Sequence, residues 1–327
     1  MPITVLTETN IRKCVGLDQE AFAAVADAFT ALATGQVTLP PIVRIDVPEH
    51  KGEVDIKTAY VRGLDSFAIK IAAGFFENYR LGLPTGSGMM VVVSAKTGRP
   101  EAVLLDNGYL TDLRTGIAGA LAARYLARKE IDTAGVIGAG AQARYQMMAL
   151  KQVRDFRRLM IYSIIPQEVD QYVQEMSQML GVEIVKAKDV ETVVRHSDIV
   201  VTCTPAKEPY LKAEWLHPGL HITAMGTDSE DKQELYADAL GRADLLVCDS
   251  KSQCFRLGEF HNGLEAGIIS LDDPIVELGD LTSGREPGRR SDQEITICDL
   301  TGVGVQDTAI ALLAYRKAME KNLGLRI

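Results

Sequence analysis

The run Gly138-Ala139-Gly140-Ala141-Gln142-Ala143 follows directly on the apolar stretch Thr133-Ala134-Gly135-Val136-Ile137, and no other feature constrains the fold as much. It reads G-x-G-x-x-A. The first glycine permits a tight turn, the second lets the backbone approach a pyrophosphate, and Ala143 allows the next helix to pack closely on the strand. The amides at that helix's N-terminus are free to meet the anion. A helix over 141–151, a strand over 159–162 and a helix over 166–180 supply the βαβ context that turns a weak motif into a dinucleotide site. Further buried strands are expected at 198–203, 221–225 and 245–248, so the sheet is parallel and doubly wound.

The chain before this motif has another rhythm. Phe22, Val25, Phe29 and Leu32 fall at helical spacing within 18–34. Short β-like runs follow at 42–47, 54–61, 67–71, 88–93 and 100–105, parted by turn signals such as Gly82-Leu83-Pro84-Thr85-Gly86. Strands in such quick succession predict an antiparallel or mixed sheet. A helix rich in alanine is expected over 110–126, and an amphipathic one over 307–321. The fold class is therefore α/β: a Rossmann doubly wound sheet plus an α+β domain. Gly279–Arg290, with its Gly, Pro and Arg, is expected to be a mobile loop. Arg195-His196 and Arg289-Arg290 are read as surface charge, and Trp215 as a packing residue.

Composition excludes several classes. The 327 residues carry a net charge of −9, with no basic stripe to neutralise phosphates, so no nucleic-acid partner is expected. Apolar runs such as Met89-Met90-Val91-Val92-Val93 are far too short to span a bilayer, and the N-terminus lacks a leader pattern. Five scattered cysteines suit a reduced, cytoplasmic protein. The five histidines show no ligand spacing, so no metal is expected.

The second strand of a dinucleotide fold ends in an acid when it reads the ribose of NAD. Here Ser163 stands in that place with no arginine directly after it, so NAD or NADP remains open. Gly226-Thr227-Asp228 follows the expected strand at 221–225, where open α/β sheets hold their ligands, with Lys232 one turn on. Arg44, Lys57, Lys70 and Arg114 interrupt apolar segments of the first half. Lys70, between Ala68-Ile69 and Ile71-Ala72, is the least comfortable of them.

Taken together, Phe67-Ala68-Ile69-Lys70, Leu113-Arg114-Thr115-Gly116, the glycine motif, Ala224-Met225-Gly226-Thr227-Asp228, Lys232-Gln233-Glu234-Leu235 and Thr296-Ile297-Cys298-Asp299-Leu300-Thr301-Gly302-Val303-Gly304 carry a resemblance. Over nearly its whole length the chain resembles the ornithine cyclodeaminase/mu-crystallin family. Within it, the chain is most similar to ectoine-utilisation cyclodeaminase-like proteins and to imine reductases such as iminosuccinate reductase. The resemblance implies a substrate-binding and dimerisation domain from 1–125 and 305–327, a Rossmann dinucleotide-binding domain from 126–304, and a homodimer. Position by position, it implies Arg44, Lys70 and Arg114 as a clamp for a substrate carboxylate and Asp55 as a carboxylate near a distal amine. Asp228 becomes the catalytic carboxylate, with Lys70 beside it in the catalytic set. It also implies Thr115, Gly138, Gly140, Ala141, Gln142, Ser163, Thr204, Met225, Gly226 and Lys232 as cofactor contacts. Asp55 is shorter than the glutamate of cyclodeaminases, and Thr227 replaces their usual glycine.

Three cations around one anion bind it tightly, with Arg giving bidentate geometry. An aspartate beside such a cluster stays ionised and can accept a proton. The activity implied is an NAD(P)-dependent cyclodeaminase acting on a small (di)amino acid by hydride transfer at the α-carbon, with ammonia release. The alternative is a net imine reductase or amino-acid dehydrogenase using the same residues. A cofactor-holding binding protein without turnover is the reading from another class, and intact Lys70, Arg114 and Asp228 argue against it.

Overall fold

A computed structural model describes Pro2–Ile327; Met1 lies outside the described residues. The chain separates into two compact units. The first takes the residues up to Arg114 together with Val303–Ile327, and the second is Thr115–Gly302. The first border therefore falls at 114/115, where 125/126 was expected, and the second at 302/303. Local bonding explains the shift. Tyr109 Oη donates to Val15 O at 2.7 Å and Asp106 accepts from Leu110 N at 2.8 Å, tying the start of the helix Tyr109–Leu126 to the first unit. Further along, Thr115 O accepts from Gln146 of the second unit.

In the first unit, β1 (Thr4–Thr7), α1 (Glu8–Arg12) and α2 (Gln19–Ala33) precede β2 (Val37–Thr38), β3 (Val43–Val47), β4 (Gly52–Val61), β5 (Ser66–Phe75), β6 (Gly86–Ser94) and β7 (Pro100–Leu105). Strands β3 to β7 run antiparallel in chain order, β1 joins β7 in parallel, and Leu325–Arg326 closes that edge. Asp18 caps α2, accepting from Ala21 N at 2.9 Å, and its apolar stripe Phe22, Val25 and Phe29 is buried. The C-terminal helix Gly304–Glu320 packs against α2, β4 and β5. Its first residue must be glycine: a Cβ there would stand 2.3 Å from Thr58 O. Thr308 Oγ1 donates to Ala59 O at 2.8 Å and accepts from Ala68 N at 3.1 Å, fixing the helix to both central strands.

The part of α3 (Tyr109–Leu126) from Thr115 onward opens the second unit and leads to β8 (Thr133–Ile137), α4 (Ala141–Lys151), β9 (Arg158–Tyr162), α5 (Pro166–Leu180), β10 (Glu183–Lys186), α6 (Val190–His196), β11 (Ile199–Thr202) and β12 (His221–Ala224). After them come β13 (Leu245–Cys248), α7 (Lys251–Leu257), α8 (Glu259–Glu265), β14 (Val276–Glu277), α9 (Leu278–Thr282) and β15 (Thr296–Asp299). All pairings are parallel, in the order β10-β9-β8-β11-β12-β15-β13-β14. This is a doubly wound Rossmann sheet. Strands β8, β11, β12 and β15 are buried at every position, as a sheet covered on both faces requires.

Two expectations need correction. Gly279–Arg290 is not a free loop, because α9 runs to Thr282 and Arg289 N donates to Tyr125 O at 3.0 Å. Nor is Arg289 surface charge. Its guanidinium donates to Leu126 O, Glu294 O, Leu220 O and Thr296 Oγ1, so it satisfies carbonyls where α3, β12 and β15 meet. Trp215 packs half-buried against the apolar core of the second unit.

Candidate active site

In the second unit, the strand order reverses between β8 and β11, and the crevice at the carboxyl ends there is where such sheets take ligands. Ser163 follows β9, Gly138 follows β8, Thr204 lies two residues past β11, and Met225 follows β12. Four adjacent strands thus bring the predicted cofactor residues to one edge. Gly138 has φ +112°, a left-handed conformation suited to glycine, and a Cβ on it would meet Cys203 O at 2.9 Å. Gly140 opens α4 with no side-chain cap and nothing within 4 Å of a Cβ position. Ala141 starts the helix in the open, and Ala143 is fully buried. The loop therefore offers bare backbone and unsatisfied amides, which fit a dinucleotide's pyrophosphate. Ser163 Oγ accepts from Ile165 N at 3.3 Å, closing the turn after β9. Gln142 lies one turn from Gln146, whose Nε2 donates to Thr115 O at 2.9 Å and to Gln142 Oε1 at 3.4 Å.

The loop after β12 is held by two acids that sequence reasoning left without a role. Glu234 is fully buried. It accepts from Thr202 Oγ1, Thr204 N, Thr204 Oγ1 and Tyr210 Oη, each at 2.7 Å, and from Gly226 N at 2.9 Å. One carboxylate thereby joins the ends of β11 and β12. Glu259 accepts from Thr227 Oγ1, from Glu234 N at 2.8 Å and from Leu235 N at 3.2 Å. Burial, and then the neighbouring Glu234, push the Glu259 carboxyl up to about 8. On this frame Asp228 projects with its side chain 32 % exposed and Oδ1 2.7 Å from Lys232 Nζ. The sequence signal for Glu234 is its place two residues after Lys232 in the run Lys232-Gln233-Glu234-Leu235; Glu259 carries none.

In the first unit, the inner face of the sheet carries the cations. Lys57 and Lys70 are direct cross-strand partners on β4 and β5, 5 % and 1 % exposed. Lys70 Nζ lies 3.0 Å from Asp307 Oδ2, and Arg114 Nε lies 2.9 Å from Asp307 Oδ1. Arg114 Nη1 also donates to Gln306 Oε1 at 3.3 Å. Burial, with Arg114 and Lys57 beside it, pushes the Lys70 ammonium down to about 7 against the pull of Asp307. Burial works to raise the Asp307 carboxyl, yet Arg114, Lys70 and Lys57 together hold it below the ordinary range. Asp307 was foreseen only as the start of a helix; nothing in its local sequence marks it.

Arg44 has other company. It sits opposite Asp55 in the β3–β4 register, with Nη1 3.8 Å from Asp55 Oδ1, Nη2 2.6 Å from Glu53 and Nε 2.9 Å from Asp46. Lys70 and Arg114 are thus gathered on Asp307, whereas Arg44 and Asp55 form a separate acid-rich group on the same sheet.

The model of the ornithine cyclodeaminase/mu-crystallin family matches residues 3–322. An uncharacterized cyclodeaminase, y4tK, of Sinorhizobium fredii is 48 % identical over 98 % of this chain and 97 % of its own. The structure of Thermococcus litoralis Δ1-pyrroline-2-carboxylate reductase in complex with NADH and L-proline superposes with a TM-score of 0.94 at 31 % identity, covering 99 % of this chain and 100 % of that one. An archaeal alanine dehydrogenase, a dimer with bound NAD, superposes with a TM-score of 0.91 at 35 % identity, covering 100 % and 99 %. The match spans both units and both groups of polar residues, and the chain belongs to the ornithine cyclodeaminase/mu-crystallin family.

Proposed function

We propose that this protein is an NADH-dependent reductase of small 2-imino acids, running in reverse as an amino-acid dehydrogenase. The observation that carries this reading is the buried Lys70–Asp307–Arg114 group, where Lys57 adds a third cation acting on one carboxylate. Such a group favours an incoming carboxylate. The backbone at Gly138, Gly140 and Ala141 would hold the pyrophosphate of a nicotinamide dinucleotide, which when bound would supply the hydride for the imine carbon. Lys70 and Arg114 orient the substrate through its carboxylate, Asp228 exchanges the proton of the substrate nitrogen, and Lys232, 2.7 Å from Asp228 Oδ1, holds that carboxylate in place. Ser163, followed by Ile164 and Ile165, offers no cation for a 2′-phosphate, which supports NAD over NADP. The relatives bound to NADH and NAD support the same choice. Five free thiols suit the cytoplasm.

A homodimer is part of this reading. Val43, Ile56, Ile71, Met89 and Leu105 form one row on the outer face of the β3–β7 sheet, and Ile69, Val91 and Val103 lie in the next. Val43 is 56 % and Leu105 45 % exposed, and an apolar row of this kind calls for a partner.

The second reading, a cyclodeaminase, needs a carboxylate free for a distal amine. Asp55 faces Arg44, which favours the reductase; the similarity to y4tK keeps the cyclodeaminase in play. The test is an assay of the protein with NADH or NADPH and a panel of pyrroline-2-carboxylate and imines of keto acids, beside ornithine and 2,4-diaminobutyrate. Stoichiometric loss of NADH with an imine is expected. Ammonia release without net cofactor change would give the cyclodeaminase instead. Asp228→Asn should lower turnover by about 10² or more with NADH binding retained; turnover near wild type would remove Asp228 from its role.

A further inference from the structure

We propose that Asp307 is a positioning residue that keeps Lys70 charged and aligned with Arg114, making the two cations one seat for the substrate carboxylate. This rests on the carboxylate-binding role given to that pair above. The geometry is specific. The two oxygens of Asp307 are divided, one 3.0 Å from Lys70 Nζ and the other 2.9 Å from Arg114 Nε. Asp307 thus meets the guanidinium on its Nε side and does not fork onto both terminal nitrogens, one of which reaches Gln306. That leaves Nη2, bonded to neither Asp307 nor Gln306, as the nitrogen through which Arg114 grips a ligand's carboxylate. The helix holding Asp307 cannot drift, because Gly304 abuts Thr58 and Thr308 bonds both central strands.

The charges around Lys70 explain why the seat needs an internal anion. Lys57 faces it from β4, Arg114 from α3, Asp307 from the C-terminal helix and Asp106 from the turn before α3, with Arg44 and Asp55 further along the inner face. Burial pushes the Asp106 carboxyl up to about 6, so its charge fades as pH falls through that value, whereas Asp307 is held below the ordinary range and stays ionised. Burial, Arg114 and Lys57 all favour neutral Lys70, and Asp307 opposes them. With Asp307 in place the Lys70 midpoint stands at about 7; without it the midpoint falls further, Lys70 is mostly neutral at pH 7, and half of the seat is lost.

The test reads Lys70 directly in the full chain. Lysine labelled with ¹³C at Cε, with Lys70 assigned through Lys70→Met, is titrated by NMR in wild type, Asp307→Asn and Asp307→Ser. The Lys70 midpoint should fall by about one unit or more in either variant, a tenfold loss of proton affinity. Arg114→Gln should move it upward, since a repelling charge is gone. A Lys70 midpoint unmoved by loss of Asp307 overturns the proposal, and so does one that fails to rise without Arg114. In turnover, Asp307→Asn should raise the imine KM about tenfold or more, with kcat changed far less, and should move the alkaline loss of affinity to lower pH. Asp307→Glu should restore most of both, and an unchanged KM overturns the role. If wild type reduces no 2-imino acid, the reductase reading fails while the Lys70 titration still decides the role of Asp307.

Discussion

Burial changes what a carboxylate is, and this chain uses that in opposite directions. Asp307 is fully buried yet anionic, since three cations outweigh the loss of water. Glu259 is as deeply buried, but its nearest charge is another acid, and it holds its proton up to about 8. A folded-state value raised from 4.5 means a contribution to stability that is complete below about pH 4.5 and lost as pH climbs through about 8. Glu259→Gln should remove that decline. Its melting temperature, compared with wild type, should improve steadily between pH 5 and 9, and parallel melting curves for the two proteins would contradict the raised value. Thr227 owes its place to the same acid, because its hydroxyl donates to Glu259. Thr227 is therefore built into the support of the Asp228 loop.

At the scale of elements, the β8–α4 turn separates two jobs that glycines do. Gly138 needs its left-handed backbone and has Cys203 O at its back, so Gly138→Ala should cost about 1–3 kcal/mol of stability along with cofactor affinity. Gly140 has φ −81° and open space around it. Gly140→Ala should melt like wild type yet bind NADH about tenfold or more weakly, because the added methyl stands where the pyrophosphate approaches. Denaturant melts and NADH fluorescence titrations on both variants check the pair. Equal NADH affinity in Gly140→Ala and wild type would remove this turn from the cofactor site.

At the scale of the whole molecule, the outer face of the β3–β7 sheet bears on assembly. An antiparallel sheet with one face on the core is expected to be polar on the other, but here the second face carries Ile56, Ile69, Ile71, Val91 and Val103. If the proposed dimer forms through this face, Ile69→Asp together with Ile71→Asp should convert it to monomer in analytical ultracentrifugation, since two charges in an apolar interface go unpaired. A wild-type chain that sediments as a monomer would dismiss the dimer. No helix among the described residues is long and apolar enough to cross a membrane.

The local pattern of the sequence determined a good deal. The helices over 141–151 and 166–180 and the strand over 133–137 match the structure residue for residue, because their apolar periodicity and turn glycines are properties of neighbouring residues. Lys70 was suspect for the same reason, a charge within an apolar strand, and it is 1 % exposed. What pairs with what was decided only in three dimensions. Arg44, Lys70 and Arg114 look alike as isolated cations, but strand register sets Arg44 against Asp55, while a helix more than two hundred residues beyond Lys70 brings Asp307 to Lys70 and Arg114. Glu234 and Glu259 are likewise ordinary acids in the sequence and become buried anchors only when β11, β12 and α8 meet. The energy of an ionised group depends on its distance to other charges and to water, and the tertiary fold sets both.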